Sequence, residues 1–231
     1  MNKKKLAMSL TSLALVGAVA VGGTLAYLSS TSNWVNNTFS VGTGYIPDDK
    51  GHVGLWLDEK YIVKSTPNNE VRTEKGNNYE DMMPGSVVEK DPTFHMTKGS
   101  TSSYVIARVV HLDDAMANGY SVISEVYGEK FPGEINPSWQ KVANIDGTTE
   151  NLDATKDGYY AYVNWENYSN IVDATENAVD LPTMFDYVAL DGEIEDLTTV
   201  YASVITISGV AVQAENNTLE GALQVAMEKM N

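Results

Sequence analysis

Tyr104-Val105-Ile106-Ala107-Arg108-Val109-Val110-His111-Leu112 is the stretch on which the fold turns. Its residues are β-branched, aromatic or small, and only Arg108 and His111 interrupt an apolar run. A strand with one wet face alternates apolar and polar residues, whereas a strand covered on both faces reads as a nearly continuous apolar stretch. The segment therefore predicts a central strand buried front and back.

Working outward, Val200-Tyr201-Ala202-Ser203-Val204-Ile205-Thr206-Ile207, followed by Val210-Ala211-Val212, predicts a second strand, with Gly209 as a bulge or kink. Shorter segments with the same grammar run over 52–57, 86–89, 93–96, 121–126, 139–143, 159–165 and 184–188, bounded by Gly, Asn, Asp and Pro. Many short strands with few helices predict an all-β fold and favour a sandwich over an open sheet. Leu219, Ala222, Leu223, Ala226, Met227 and Met230 share one helical face, which predicts a C-terminal helix with Asn217 as N-cap and Glu220 as its box partner. A short helix over 113–118, stopped by Gly119, is expected as well.

The N-terminal end has a different composition. Lys3, Lys4 and Lys5 precede an apolar or small stretch over 6–21, and Gly22-Gly23-Thr24-Leu25-Ala26 follows. That order predicts a signal peptide over 1–26, with Thr24 and Ala26 as the small residues before a cut at Tyr27. A retained membrane anchor is the competing reading, because the stretch approaches the roughly 18 residues that span a bilayer. Nothing comparable follows, so no stable membrane span is expected after processing. No repeat or long linker divides residues 27–231, which are expected to form one domain.

The chain carries a formal charge of −16, and removal of the leader would take away three lysines and leave it more acidic still. An acidic surface repels phosphate backbones and anionic lipids, so nucleic acid is excluded as a partner class. The sequence has no cysteine, which removes disulfides, thiolate metal sites and cysteine nucleophiles. His52, His95 and His111 stand in no ligand pattern, and neither Asp146-Gly147 nor Asp157-Gly158 opens a calcium loop of the required register. No nucleophile elbow, P-loop or dinucleotide fingerprint occurs, so no catalytic residue, metal or cofactor is assigned and no enzymatic role is expected. Tyr159, Tyr160, Tyr162, Trp165 and Tyr168 suit either a sugar-stacking surface or an ordinary half-buried strand.

Four blocks carry a family resemblance. They are Gly22-Gly23-Thr24-Leu25-Ala26-Tyr27-Leu28-Ser29-Ser30 running into Asn37-Thr38-Phe39-Ser40-Val41-Gly42; Met83-Pro84-Gly85-Ser86-Val87-Val88-Glu89-Lys90-Asp91-Pro92; Gly158-Tyr159-Tyr160-Ala161-Tyr162 with Leu181-Pro182-Thr183-Met184-Phe185-Asp186-Tyr187-Val188; and Ile205 through Asn216. In this order they resemble the TasA/camelysin family of exported Gram-positive proteins, whose leader is cut by a signal peptidase of the SipW type. The resemblance implies a jelly-roll-like β-sandwich, secretion to the cell surface or biofilm matrix, and self-association into fibres by donation of an N-terminal strand. Ile106, where that family often has Arg, and Lys98 depart from its pattern.

Residues 27–41 bear on donation independently. They are polar and Asn/Ser-rich, yet Leu28, Trp34, Val35, Phe39 and Val41 supply apolar anchors for a groove beside an unpaired strand. The same residues suit the first strand of their own sandwich. Two other functions compete with a fibre subunit: a monomeric adhesin or glycan-binding module, and a camelysin-like metalloprotease.

Overall fold

The computed structural model describes residues 29–31 (as backbone), 50–51, 54–61, 70–77, 79, 82–195 and 204–230. Residues 1–26, read as a signal peptide and including Thr24 and Ala26, lie outside the described residues, as do Tyr27, Leu28, Trp34, Val35, Phe39 and Val41. In chain order the strands are β1 (Ser29–Thr31), β2 (Leu55–Lys60), β3 (Arg72–Thr73), β4 (Val87–Glu89), β5 (Thr93–Met96), β6 (Ser103–Val110), β7 (Tyr120–Val126), β8 (Glu129–Pro132), β9 (Trp139–Asn144), β10 (Gly158–Tyr162), β11 (Ile171–Val172), β12 (Val179–Asp180), β13 (Tyr187–Leu190) and β14 (Thr206–Gln213). Helices α1 (Leu112–Ala117) and α2 (Leu219–Met230) complete the described elements.

The protein is an all-β, jelly-roll-like sandwich built from antiparallel pairs. One sheet has the order β1-β14-β6-β10-β9, with β11 also paired to β6. Opposite it lie the sheets β12-β5-β2-β3 and β4-β13-β7-β8. Between the layers, Val105, Ala107 and Val109 of β6 pack with Phe94, Met96, Val122, Trp139 and Tyr160.

The outer face of β6 is covered too. Ile106 joins Tyr159, Ala161, Val210 and Val212 in a second cluster under Ala222, Leu223, Val225 and Ala226 of α2. This explains why the β6 sequence shows no clean alternation: the sandwich core takes one face and the helix takes the other. The C-terminal helix thus sits on the outside of the sandwich as a third layer.

Three expectations need correction, and the cap of α1 comes from outside the helix. Gly209 is no bulge, for β14 pairs with β6 in unbroken register from Thr206↔Val110 to Gln213↔Ser103. A Cβ there would lie 2.7 Å from Phe94 Cζ, so glycine makes room for that ring. The strand expected over 184–188 begins only at Tyr187, because Met184 and Phe185 are core residues on an irregular segment whose backbone pairs with Pro92 and Asn136. The α2 cap is Thr218, whose Oγ1 accepts from Gly221 N at 3.1 Å, one residue beyond Asn217. Finally, α1 receives its N-terminal capping from afar: Asp157 Oδ1 accepts from Leu112 N at 2.7 Å and Asp113 N at 3.2 Å, and Oδ2 accepts from His111 N at 2.9 Å.

Candidate functional site

β14 has two neighbours of very different extent. On one side β6 pairs with its whole length. On the other, β1 pairs, among the described residues, through Ser29↔Val212, Ser30↔Ala211 and Thr31↔Val210. A full-length edge strand presents a row of donors and acceptors that invites pairing by another chain, and here a three-residue strand covers part of it. The covering residues come from segment 27–41, with the expected cleavage residues and apolar anchors on either side of them in sequence.

The opposite edge of the same sheet is β9, and it is held by side chains. A register shift between Tyr159 and Tyr160 turns Trp139 and Lys141 toward the face that carries Tyr160, while Ala143 pairs with Tyr159. Lys141 Nζ donates to Asp153 O at 2.9 Å and Lys156 O at 3.2 Å, pinning loop 145–157 across the strand. Burial lowers the Lys141 ammonium below its ordinary range. Burial also raises the Tyr160 phenol, whose hydroxyl donates to the carbonyls of Lys156 and Ala154. Gly158 is required beside them, since a Cβ there would run into the backbone carbonyl oxygen of Ala143.

The two described histidines do not converge. His95 lies between carboxylates, with Nε2 2.9 Å from Asp58 Oδ1 and Nδ1 2.7 Å from Asp180 Oδ1, and its ring stacks on Trp56 at 4.0 Å. His111 starts α1 in the left-handed region (φ 66°), 3.3 Å from Asp114 Oδ2. His52 falls outside the described residues. Among the described residues no three His, Asp or Glu side chains are grouped to hold a metal ion. No described helix is long and apolar enough to cross a membrane.

Sequence reasoning missed a network of ion pairs centred on β2. Arg72 Nε donates to Asp58 Oδ1 at 2.6 Å and its Nη1 to Asp91 Oδ2 at 2.7 Å, while Lys90 Nζ reaches Glu59 Oε2 at 2.5 Å and Lys60 pairs with Glu89. Burial alone would raise the Asp58 carboxyl, but hydrogen bonds from His95 and Arg72 hold it below the ordinary value. The signal was the unusual Asp58-Glu59-Lys60 ending of an otherwise apolar strand.

The Asp-Gly sites are turns or caps: Asp146 Oδ1 accepts from Thr148 N at 2.9 Å, and Asp157 caps α1. Of the five aromatics, Tyr159 and Tyr160 are fully buried and Tyr162 half-buried, so they form no surface. Trp165 and Tyr168 are exposed and meet edge to face, with ring centroids 6.3 Å apart. Comparison with protein-family models, with curated proteins and with solved structures returns no match.

Proposed function

We propose that the chain is an exported structural protein of the TasA/camelysin type, a fibre subunit of the cell surface or biofilm matrix that assembles through its N-terminal strand. A signal peptidase of the SipW type would release Tyr27 as the new terminus. The observation that carries this reading is the contrast between a full-length β14 and the three described residues that pair along its edge. With each backbone hydrogen bond worth about 1 kcal/mol net, a hold limited to this ladder would be weak enough to exchange. A second copy's segment 27–41 offers the same backbone pairing together with Trp34, Val35, Phe39 and Val41 as anchors. No catalytic role is part of the proposal.

The test compares chains 27–231 and 42–231 in electron micrographs. Filaments are expected from the first and monomers from the second, and a synthetic 27–41 peptide added in trans should bind the shortened chain. Filaments from 42–231, or none from either chain, would overturn the reading. N-terminal mass spectrometry of the secreted protein should find Tyr27 first.

A further inference from the structure

Loop 164–169, after β10, is closed by its own hydrogen bonds, and it carries two large aromatics in the open. Asn164 and Ser169 close it with reciprocal backbone bonds of 2.8 and 3.2 Å, and Asn164 Oδ1 accepts from Glu166 N at 2.9 Å. Tyr168 sits in the left-handed region at φ 53°, a conformation costly for a bulky side chain, and the residue is 82% exposed. Trp165 is 45% exposed, and its indole N–H donates to Pro137 O at 3.1 Å, so the ring is fixed in orientation. Strain and exposed aromatic area both work against stability, and such combinations are retained where a surface is used.

Trp165 forms one wall of an open cavity of about 670 Å³ alongside β9, with Leu152 and Thr155 on the facing loop and Glu134, Gln140 and Asp153 also on its lining. This volume falls within the roughly 300–1,000 Å³ of small-ligand sites. The cavity's lysine, Lys141, already donates to the Asp153 and Lys156 carbonyls, while the other charged groups on the lining are carboxylates. Anionic ligands are therefore disfavoured. A fixed aromatic face matches the electropositive C–H face of a pyranose ring, and carboxylate and amide side chains match its hydroxyls.

We infer that this groove binds a neutral glycan, one sugar ring stacked on Trp165 with its hydroxyls held by Glu134, Gln140 and Asp153. The site is separate from the β14 edge, so it stands or falls independently of fibre assembly. On a fibre it would join protein to polysaccharide.

The experiment is calorimetric titration of the purified protein with cellohexaose, laminarihexaose, chitohexaose and mannohexaose, with hexagalacturonate and the synthetic 27–41 peptide as competitors. At least one neutral hexasaccharide should bind with a dissociation constant of about 10 μM to 1 mM. Trp165→Ala should weaken it at least about 10-fold at unchanged melting temperature, and Trp165→Phe by no more than about 5-fold. Should Trp165→Ala fail to fold, Gln140→Ala is to show a loss of at least about 3-fold instead. A panel without a neutral ligand, equal binding by both variants, or tighter binding of hexagalacturonate would each overturn the proposal. So would displacement of the glycan by the peptide, which would make the groove a strand acceptor.

Discussion

The two edges of the large sheet are finished by opposite means. At β9 a buried lysine and a buried tyrosine reach over the strand and tie loop 145–157 down through its backbone carbonyls. At β14 the described covering is a backbone ladder of three residues. A side-chain clasp belongs to its own chain and cannot be replaced by a neighbour, whereas a ladder can be rebuilt by any extended segment of suitable pattern. One closed edge and one exchangeable edge would give a subunit that adds neighbours in a single direction, as a linear fibre requires.

If that contrast is a property of the edges, a substitution distant from both should destabilise the fold without changing their relation. Asp58→Asn is the strongest such probe. Its carboxylate is buried and accepts from both Arg72 and His95, so neutralising it leaves two donors of β3 and β5 without their shared charge. A loss of about 3 kcal/mol is expected, or a melting temperature lower by about 6–12 °C. The folded-state pKa of Asp58 lies below the ordinary 3.8. Its contribution is therefore present above that value and fades as the pH falls through the folded pKa. Acid denaturation of the variant should be shallower below about pH 4. It should not flatten altogether, because Asp146, Asp153 and Asp173 are also held low by neighbouring threonines. A parent and variant with identical acid profiles would show that the network carries no net stability.

How much of this was legible beforehand follows from where each signal resides. β6 and α2 were readable because their periodicity is local, and β5 because four residues carry the whole strand. β3, β11 and β12 were not, since two-residue segments are too short to show a period and exist through their partners, and β8 was not because Glu129-Lys130-Phe131-Pro132 is half charged and ends on proline. The Asp157 cap escaped notice because it lies more than forty residues from the helix it serves. Gly209 was read as a bulge because a strand glycine usually marks one, while its actual reason, the Phe94 ring, comes from the opposite sheet. The exposed Trp165 and the buried Tyr160 look alike in sequence, and only the register shift against β9 and the turn after β10 separate them.

That glycine offers the next test, at the β14 edge itself. In Gly209→Ala the new methyl would meet Phe94, and overpacking of this kind should cost about 2 kcal/mol. Phe94→Leu in the same chain should recover part of that loss. Because β1 begins its pairing at the adjacent Val210, amide exchange at Val210 and Val212 should rise more than at Ala143 on β9. Equal acceleration at both edges would mean that the sheet loosens as one body and that the asymmetry is superficial.

The smallest effect on global stability is expected at the other edge, from Lys141→Met. Burial depresses the Lys141 pKa, so the folded state holds that proton less tightly than the unfolded chain does. The charge therefore costs stability at neutral pH, a cost that declines as the pH rises toward the ordinary 10.5. Methionine keeps the packed stem and removes this cost, but it forfeits two charged hydrogen bonds to Asp153 and Lys156 carbonyls. Since each such bond is worth about 1.5–3 kcal/mol before the burial cost is deducted, the opposing contributions should leave a net change within about 1 kcal/mol. Locally the outcome should differ: Tyr160 still reaches the Lys156 carbonyl, but the Asp153 carbonyl loses its donor, and the loop should become open to protease within 145–157. A near-unchanged melting temperature with rapid cleavage there would establish the lysine as the clasp of the closed edge. An intact loop in the variant would mean that β9 is covered by packing alone, and that the two edges differ in degree and not in kind.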